Sequence, residues 1–376
     1  MSTDTHALQR LAEFGQSVWI DFLSRELLES GELARLVRED AVVGVTSNPT
    51  IFEQAISAGD AYDAQLRELM PRGLSGKDLF LELACADVAA GCDLLRPVWE
   101  QSGGRDGYVS IEVDPTLAYD TLAQYEEARR LHERIERPNL LVKIPATKPG
   151  VTAIADSIAA GRSINVTLVF SVERYIAAAR AYLEGLERFR ARGGDLSSVH
   201  SVASFFVSRV DSETDRRLDA LGAPAELYGR LGIANAKLAY ARYRELFSPE
   251  NELWRELSAA GAHPQRCLWA STSTKNPAYR DVLYVEELIG PETVNTMPEP
   301  TLHAFQDHGR VAETLTQGVD EAQRLLERLA KVGVDYDDVV ETLEREGIEK
   351  FSAAFAKLLA GLEDKHGVLD AAGARP

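Results

Sequence analysis

Three cysteines in 376 residues are too few, and too unevenly spaced, for a disulfide framework or a metal cluster. Cys85 and Cys92 lie seven apart in a helical stretch, two turns along one face, and read as small core residues. The seven histidines are scattered, and no histidine–carboxylate cluster has a metal-ligand spacing. No apolar run approaches the length of a bilayer span. Met1 to Arg10 lacks the apolar stretch of a signal peptide, which implies a cytoplasmic location. No Gly-x-Gly-x-x-Gly follows any strand, which speaks against a doubly wound dinucleotide-binding sheet. Positive charge is also short: 41 basic residues against 59 acidic give a formal charge of −18. That field argues against nucleic acid or an anionic membrane as partner, though not against a small anion held by a local cluster of cations.

What is present is a regular alternation, with 45% hydrophobic residues to supply a core. Short β-branched runs predict strands at Ser17–Asp21, Val42–Asn48, Tyr108–Asp114, Leu140–Ala146, Ile164–Phe170, Ser201–Arg209, Cys267–Ser271 and Thr293–Met297. Amphipathic helices, among them Lys77–Trp99, Leu117–Ile135, Val172–Arg190 and Ser212–Leu221, lie between them. Such alternation implies parallel strands joined by crossover helices, and eight strands is the number that closes a (β/α)8 TIM barrel. No Pro/Gly/Ser-rich linker divides residues 1–376, so one barrel domain is expected. Helical insertions are expected at about 49–107 and 211–265, the second without an assignable role. A C-terminal helical extension should run from about residue 302, roughly Leu302–Lys331 and then Tyr336–Leu362, with a frayed tail from Glu363.

Lys143 interrupts the apolar run Asn139-Leu140-Leu141-Val142-Lys143-Ile144-Pro145-Ala146. A lysine there is exposed at a strand end, paired with a carboxylate, or held neutral for chemistry, since a neutral amine attacks carbonyl carbon. Side chains alternate along a strand, so polar parity can be followed on the neighbours. Ser110, Glu112 and Asp114 share one face; Asn165 and Thr167 share another, opposite Val166 and Leu168; Thr46 and Asn48 pair likewise, and Asp21 closes the first strand. Each has a bland alternative. Asp21 and Asn48 suit helix caps, Glu112 suits a partner for Lys143, and Thr167 suits an ordinary strand. Repetition over five strands, toward the carboxyl ends where barrel sites assemble, favours a site. One lysine nucleophile and two carboxylates, Asp21 and Glu112, fit a cofactor-free and metal-free aldol reaction. Ser204 and Arg209 on the sixth strand, with Lys275 after the seventh, offer an anion site. The bland alternative pairs Arg209 with Asp211 or Asp215 and leaves Lys275 solvated.

The runs Thr46-Ser47-Asn48-Pro49-Thr50, Ser110-Ile111-Glu112-Val113-Asp114, Leu141-Val142-Lys143-Ile144-Pro145-Ala146-Thr147, Ile164 through Ser171 and Ser204 through Arg209 resemble the transaldolase family, in its longer bacterial form. The likeness extends from about Leu11 to Leu359. It implies a (β/α)8 barrel that moves a dihydroxyacetone unit from sedoheptulose 7-phosphate to glyceraldehyde 3-phosphate, giving erythrose 4-phosphate and fructose 6-phosphate. By position, Lys143 would form the Schiff base, and Asp21 would take and return the proton of the donor's C4 hydroxyl. Glu112, through a water with Thr167 nearby, would serve imine formation and hydrolysis. Asn48 and Asn165 would hold hydroxyls beside Thr46 and Phe206, and Ser204, Arg209 and Lys275 would bind phosphate. Two departures stand out: Lys275 lies where many relatives place an arginine, and Ser204-Phe205-Phe206 replaces a common Ser-Pro-Phe. A fructose 6-phosphate aldolase would tend to carry glutamine for Glu112 and tyrosine for Phe206, and a non-catalytic sugar-phosphate binding barrel would tend to lose the lysine or a carboxylate. Sugar phosphates are the expected partners, and both monomer and homodimer remain compatible.

Overall fold

The computed structural model describes residues 6–57, 59–74 and 76–373. Its eight parallel strands close in chain order: β1 (Gln16–Ile20), β2 (Val42–Thr46), β3 (Tyr108–Glu112), β4 (Leu140–Pro145), β5 (Ile164–Val169), β6 (Ser201–Phe206), β7 (Arg266–Ala270) and β8 (Thr293–Met297). β1 pairs with both β2 and β8, which leaves no edge to cover. This is a (β/α)8 barrel, and each strand lies where the β-branched runs predict one.

Several ends differ, each for a local reason. β2 stops at Thr46 because Asn48 accepts from Thr50 N (3.0 Å) and Ile51 N (3.1 Å), opening helix Pro49–Ser57. β3 stops at Glu112; Asp114 instead caps a short turn through Thr116 N and pairs with Lys77 at 2.7 Å, so it leaves the face it was expected to share with Ser110 and Glu112. β5 breaks parity at Leu168, whose φ of 55° accompanies a register shift against β6. Leu168 therefore packs apart from Val166 instead of sharing its face. β6 ends at Phe206, and Arg209 falls in the first turn of helix Ser208–Leu221 instead of on the strand.

Between β2 and β3 the chain forms helices Pro49–Ser57, Asp63–Leu69 and Gly76–Gln101. Between β6 and β7 it forms Ser208–Leu221, Leu231–Leu246 and Glu252–Ala259. Helix Leu231–Leu246 lies between Val172–Ala191 and Val319–Lys331, so much of this insertion is outer-layer packing. The expected single helix Leu302–Lys331 is two, Glu299–His308 and Val319–Lys331, separated at Gly309 and Gly318. Gly318 adopts the left-handed φ of 72° that glycine tolerates. The last helix, Tyr336–Gly373, continues past Glu363 instead of fraying there. Lys365 holds it by pairing with Asp63 at 2.9 Å and donating to the carbonyls of Ile56 and Gly59. Among the described residues, no helix is long and apolar enough to cross a membrane, and Cys85, Cys92 and Cys267 are buried free thiols.

The barrel interior is layered. At the amino ends of the strands Arg266 pairs with Asp106 at 2.9 Å and donates to Ser17. Above them Trp19, Tyr108, Leu141, Val202, Leu268 and Val294 belong to one buried apolar cluster. Gly44 makes room for it: a Cβ at that position would come within 2.4 Å of the Trp19 ring. The polar layer lies toward the carboxyl ends, where Thr46, Lys143, Asn165, Thr167, Ser204 and Thr296 are all buried.

Candidate active site

Register fixes the central group. Lys143 on β4 pairs with Glu112 on β3 and Asn165 on β5, so the three side chains share the interior face. The Lys143 amine lies 3.1 Å from Glu112 Oε2 and donates to the Ser47 carbonyl at 2.8 Å. Both side chains are nearly sealed, 5% and 3% exposed. The lysine is thus buried and paired, yet it also borders a cavity of about 140 Å3 at the barrel mouth. The salt-bridged amine is therefore also a cavity-lining one. Burial raises the Glu112 carboxyl above the ordinary glutamate range, with Lys143 pulling it back down.

Asp21, just past β1, stands across the same cavity. Thr46 donates to its Oδ1 at 2.6 Å and also meets the Thr296 hydroxyl at 2.8 Å. Burial raises the Asp21 carboxyl, opposed by Lys143, Thr46, Arg209 and Lys275. Two carboxyls with raised affinity for protons flank one amine, an arrangement suited to general acid–base work.

Of the eleven residues expected in the site, the cavity is lined by Asp21, Thr46, Asn48, Lys143, Thr167, Ser204, Phe206, Arg209 and Lys275. Glu112 and Asn165 stand just behind. Glu112 borders a small void of about 10 Å3 beside Asp114 and Phe355. Asn165 donates to Ser110 Oγ at 3.1 Å and accepts from Ser204 Oγ at 2.7 Å, which fixes its carboxamide. Asn48 is both cap and lining residue: its oxygen serves the helix, so its amide nitrogen is what remains for a ligand. Thr167 Oγ1 is buried without a hydrogen-bond partner among the described residues.

The cation end contradicts the bland pairing. Asp211 accepts from Gly232 N at 2.6 Å and Tyr284 Oη at 2.8 Å, and Asp215 from Gly229 N at 2.9 Å and Tyr279 Oη at 2.6 Å. Arg209 is left to the cavity. Its guanidinium carbon lies 5.1 Å from the Phe206 ring centre, and its buried Nη1 has no partner among the described residues. Lys275 is more exposed and donates to Ser273 Oγ at 2.6 Å. Burial and the Arg209 charge lower its pKa, while Asp21 opposes them. Two cations with no carboxylate hydrogen bond among the described residues stand beside Ser204 and Ser271, an arrangement chemically suited to an anion.

Several contributors escaped the sequence reading. Thr296 shares its parity with Val294, while the polar pair Thr293 and Asn295 takes the other face, so polar alternation along that strand points away from it. Ser47 acts through its carbonyl, which no side-chain pattern signals. Phe351 comes from the last helix, more than 200 positions from Lys143, and carries no local cue. Larger hollows exist: about 430 Å3 beside Lys237 and Tyr279, and about 580 Å3 beside Phe22 and Tyr62. Neither joins a buried amine to a buried carboxylate; the second opens beside Asp21 and widens the approach to the mouth. Among the described residues, no group of three or more His, Cys, Asp or Glu is placed to hold a metal ion.

The transaldolase/fructose-6-phosphate aldolase family model matches residues 18–362. The chain belongs to this family. It is 54% identical to Transaldolase 1 of Streptomyces coelicolor over 95% of this chain and 94% of that protein. It is 50% identical to the transaldolase of Frankia alni, covering 96% of this chain and 98% of the other. The transaldolase of Mycobacterium bovis is 49% identical over 96% of this chain and 97% of its own length. The likeness therefore spans the barrel, both insertions and most of the last helix.

Proposed function

We propose that the protein is a transaldolase that carries a dihydroxyacetone unit on Lys143. The observation that carries this reading is the buried Lys143–Glu112 contact of 3.1 Å opening onto a cavity with Asp21 opposite. Family membership and relatives near 50% identity, all named transaldolase, support it.

The steps follow from the groups present. Lys143, having lost a proton, adds to C2 of sedoheptulose 7-phosphate, and loss of the C2 oxygen as water leaves an iminium ion. Glu112 is placed to pass the protons that this addition and dehydration require. Asp21 takes the proton of the C4 hydroxyl as the C3–C4 bond breaks, and the bonding pair enters the iminium to give an enamine. Erythrose 4-phosphate departs. The enamine then attacks C1 of glyceraldehyde 3-phosphate, and Asp21 returns its proton to the new hydroxyl. Hydrolysis of the iminium frees fructose 6-phosphate and Lys143. The iminium is the electron sink, so the chemistry calls for no separate carrier. Asn48, Asn165 and Thr46 orient hydroxyls, Thr167 faces the reacting water, and Arg209, Lys275 and Ser204 hold phosphate.

Borohydride added with fructose 6-phosphate should fix a reduced adduct on Lys143, read by peptide mass spectrometry. An adduct on another lysine, or none, would overturn the mechanism. A coupled assay with and without aldehyde acceptor should show transfer far exceeding release of free dihydroxyacetone; the reverse would make the enzyme an aldolase.

A further inference from the structure

The last helix crosses the barrel mouth and reaches into the site. Gly347, Phe351 and Phe355 fall at intervals of four, on one face of helix Tyr336–Gly373. At Gly347 a Cβ would lie 3.2 Å from Leu168 and 3.3 Å from Phe170, so glycine lets the helix settle on the end of β5. Phe355 packs edge-on against Phe80, with ring centres 5.5 Å apart, over the void beside Glu112. Between them Phe351, 4% exposed, lines the Lys143 cavity, and the Arg209 guanidinium carbon lies 5.6 Å from its ring centre.

The helix is tied down along its length. Tyr336 Oη donates to Asn235 at 2.6 Å, Glu344 pairs with Arg174 at 3.1 Å, and Lys357 pairs with Glu53 at 2.8 Å. Phe351 is therefore a fixed wall, and Arg209 is bounded by two aromatic rings where a carboxylate would ordinarily stand. A ring face attracts the cation without consuming its N–H donors. A carboxylate at the same place would take those donors and cancel the charge.

We propose that Phe351 is a positioning residue for the anion site, whose ring holds Arg209 in place with its donors unpaired so that a phosphate monoester can take them. The helix outside the barrel sequence thereby contributes to selection of phosphorylated substrates. This rests on the reading of Arg209 as a phosphate ligand.

The test compares Phe351→Leu, Phe351→Tyr and Arg209→Gln in the full-length enzyme. It reads KM and kcat for fructose 6-phosphate with an aldehyde acceptor, and competitive inhibition by inorganic phosphate. Phe351→Leu fills the space without a π face; KM and the phosphate inhibition constant should rise roughly tenfold, with kcat within about threefold. Phe351→Tyr should restore both. The thermal midpoint identifies simple misfolding, which would lower kcat and active-site titre without a selective loss of phosphate. If Arg209→Gln weakens phosphate and Phe351→Leu does not, this inference fails alone. If neither does, the phosphate reading of Arg209 fails and takes the inference with it.

Discussion

Tyr284 Oη donates to Asp211 Oδ2 at 2.8 Å, which ties the loop after β7 to the helix whose first turn carries Arg209. Asp211 Oδ1 accepts from Gly232 N at 2.6 Å, so one carboxyl joins three segments. Asp215 repeats the device one helical turn later with Tyr279 and Gly229. Arg209 and Lys275, the two cations of the proposed anion site, thus sit on segments fastened to each other by buried aspartates.

Asp211 should make stability pH-dependent. Burial pushes its carboxyl up to about 7, against an ordinary value of 3.8, with Asp215 adding to the rise. For an acid with a raised folded pKa, the folded state holds the proton longer than the unfolded chain. Its contribution is complete below about pH 4 and is lost as pH rises through 7, up to roughly 4 kcal/mol. Asp211→Asn, which cannot ionise, should flatten the fall in urea midpoint between pH 4.5 and 7.5. An unchanged slope would refute the assignment.

Lys143→Met should lower transfer more than about 1,000-fold, by analogy with loss of other covalent nucleophiles. It also removes the cation that opposes burial of Glu112, so that carboxyl should be raised further. Thermal midpoints should then fall more steeply for the variant than for wild type as pH climbs from 5 to 9. Parallel curves would show that Glu112 does not sense the lysine.

Asp21→Asn separates imine formation from carbon–carbon cleavage. Its carboxamide keeps an oxygen for the Thr46 hydroxyl but cannot accept the C4 proton. Cleavage should fall by about 100- to 10,000-fold while borohydride still traps the donor. The mass of the trapped peptide should correspond to the whole sugar phosphate, not a three-carbon unit. A three-carbon adduct formed at the wild-type rate would remove Asp21 from this role.

Gly44→Ala should destabilise the barrel by about 1–3 kcal/mol, because the new methyl would meet the Trp19 ring at 2.4 Å. The double variant Gly44→Ala/Trp19→Phe should recover part of the loss in urea denaturation. Additive losses would mean that the two sites do not contact each other as described.

Legibility in the sequence followed the range of the interaction. The eight strands, Lys143 and the polar parity of Glu112, Asn165 and Thr167 depend on alternation within a few residues, and local pattern reports that directly. Arg209 falls at the end of the run Ser201–Arg209 that predicts the sixth strand. It begins a helix because Ser208 bonds to the loop after β7 through its backbone N–H (3.1 Å to the Ser271 carbonyl) and its hydroxyl (2.9 Å to Ser271 Oγ). Asp114 lies past the end of β3 and turns to Lys77. Phe351 was invisible for the same reason on a larger scale: an apolar helical residue looks alike whether it faces a core or a substrate.

The apolar layer of Trp19, Tyr108, Leu141, Val202, Leu268 and Val294 gives the reaction vessel a floor. With that end filled, the two aldehydes of the proposed transfer would approach the cavity from the barrel mouth and use it by turns. Under the proposed mechanism, erythrose 4-phosphate would vacate the Arg209 end before glyceraldehyde 3-phosphate enters, while the three-carbon unit waits on Lys143. Ping-pong kinetics, with each aldehyde inhibiting competitively against the other, are then the expected outcome, owed to the barrel's architecture as much as to its lysine.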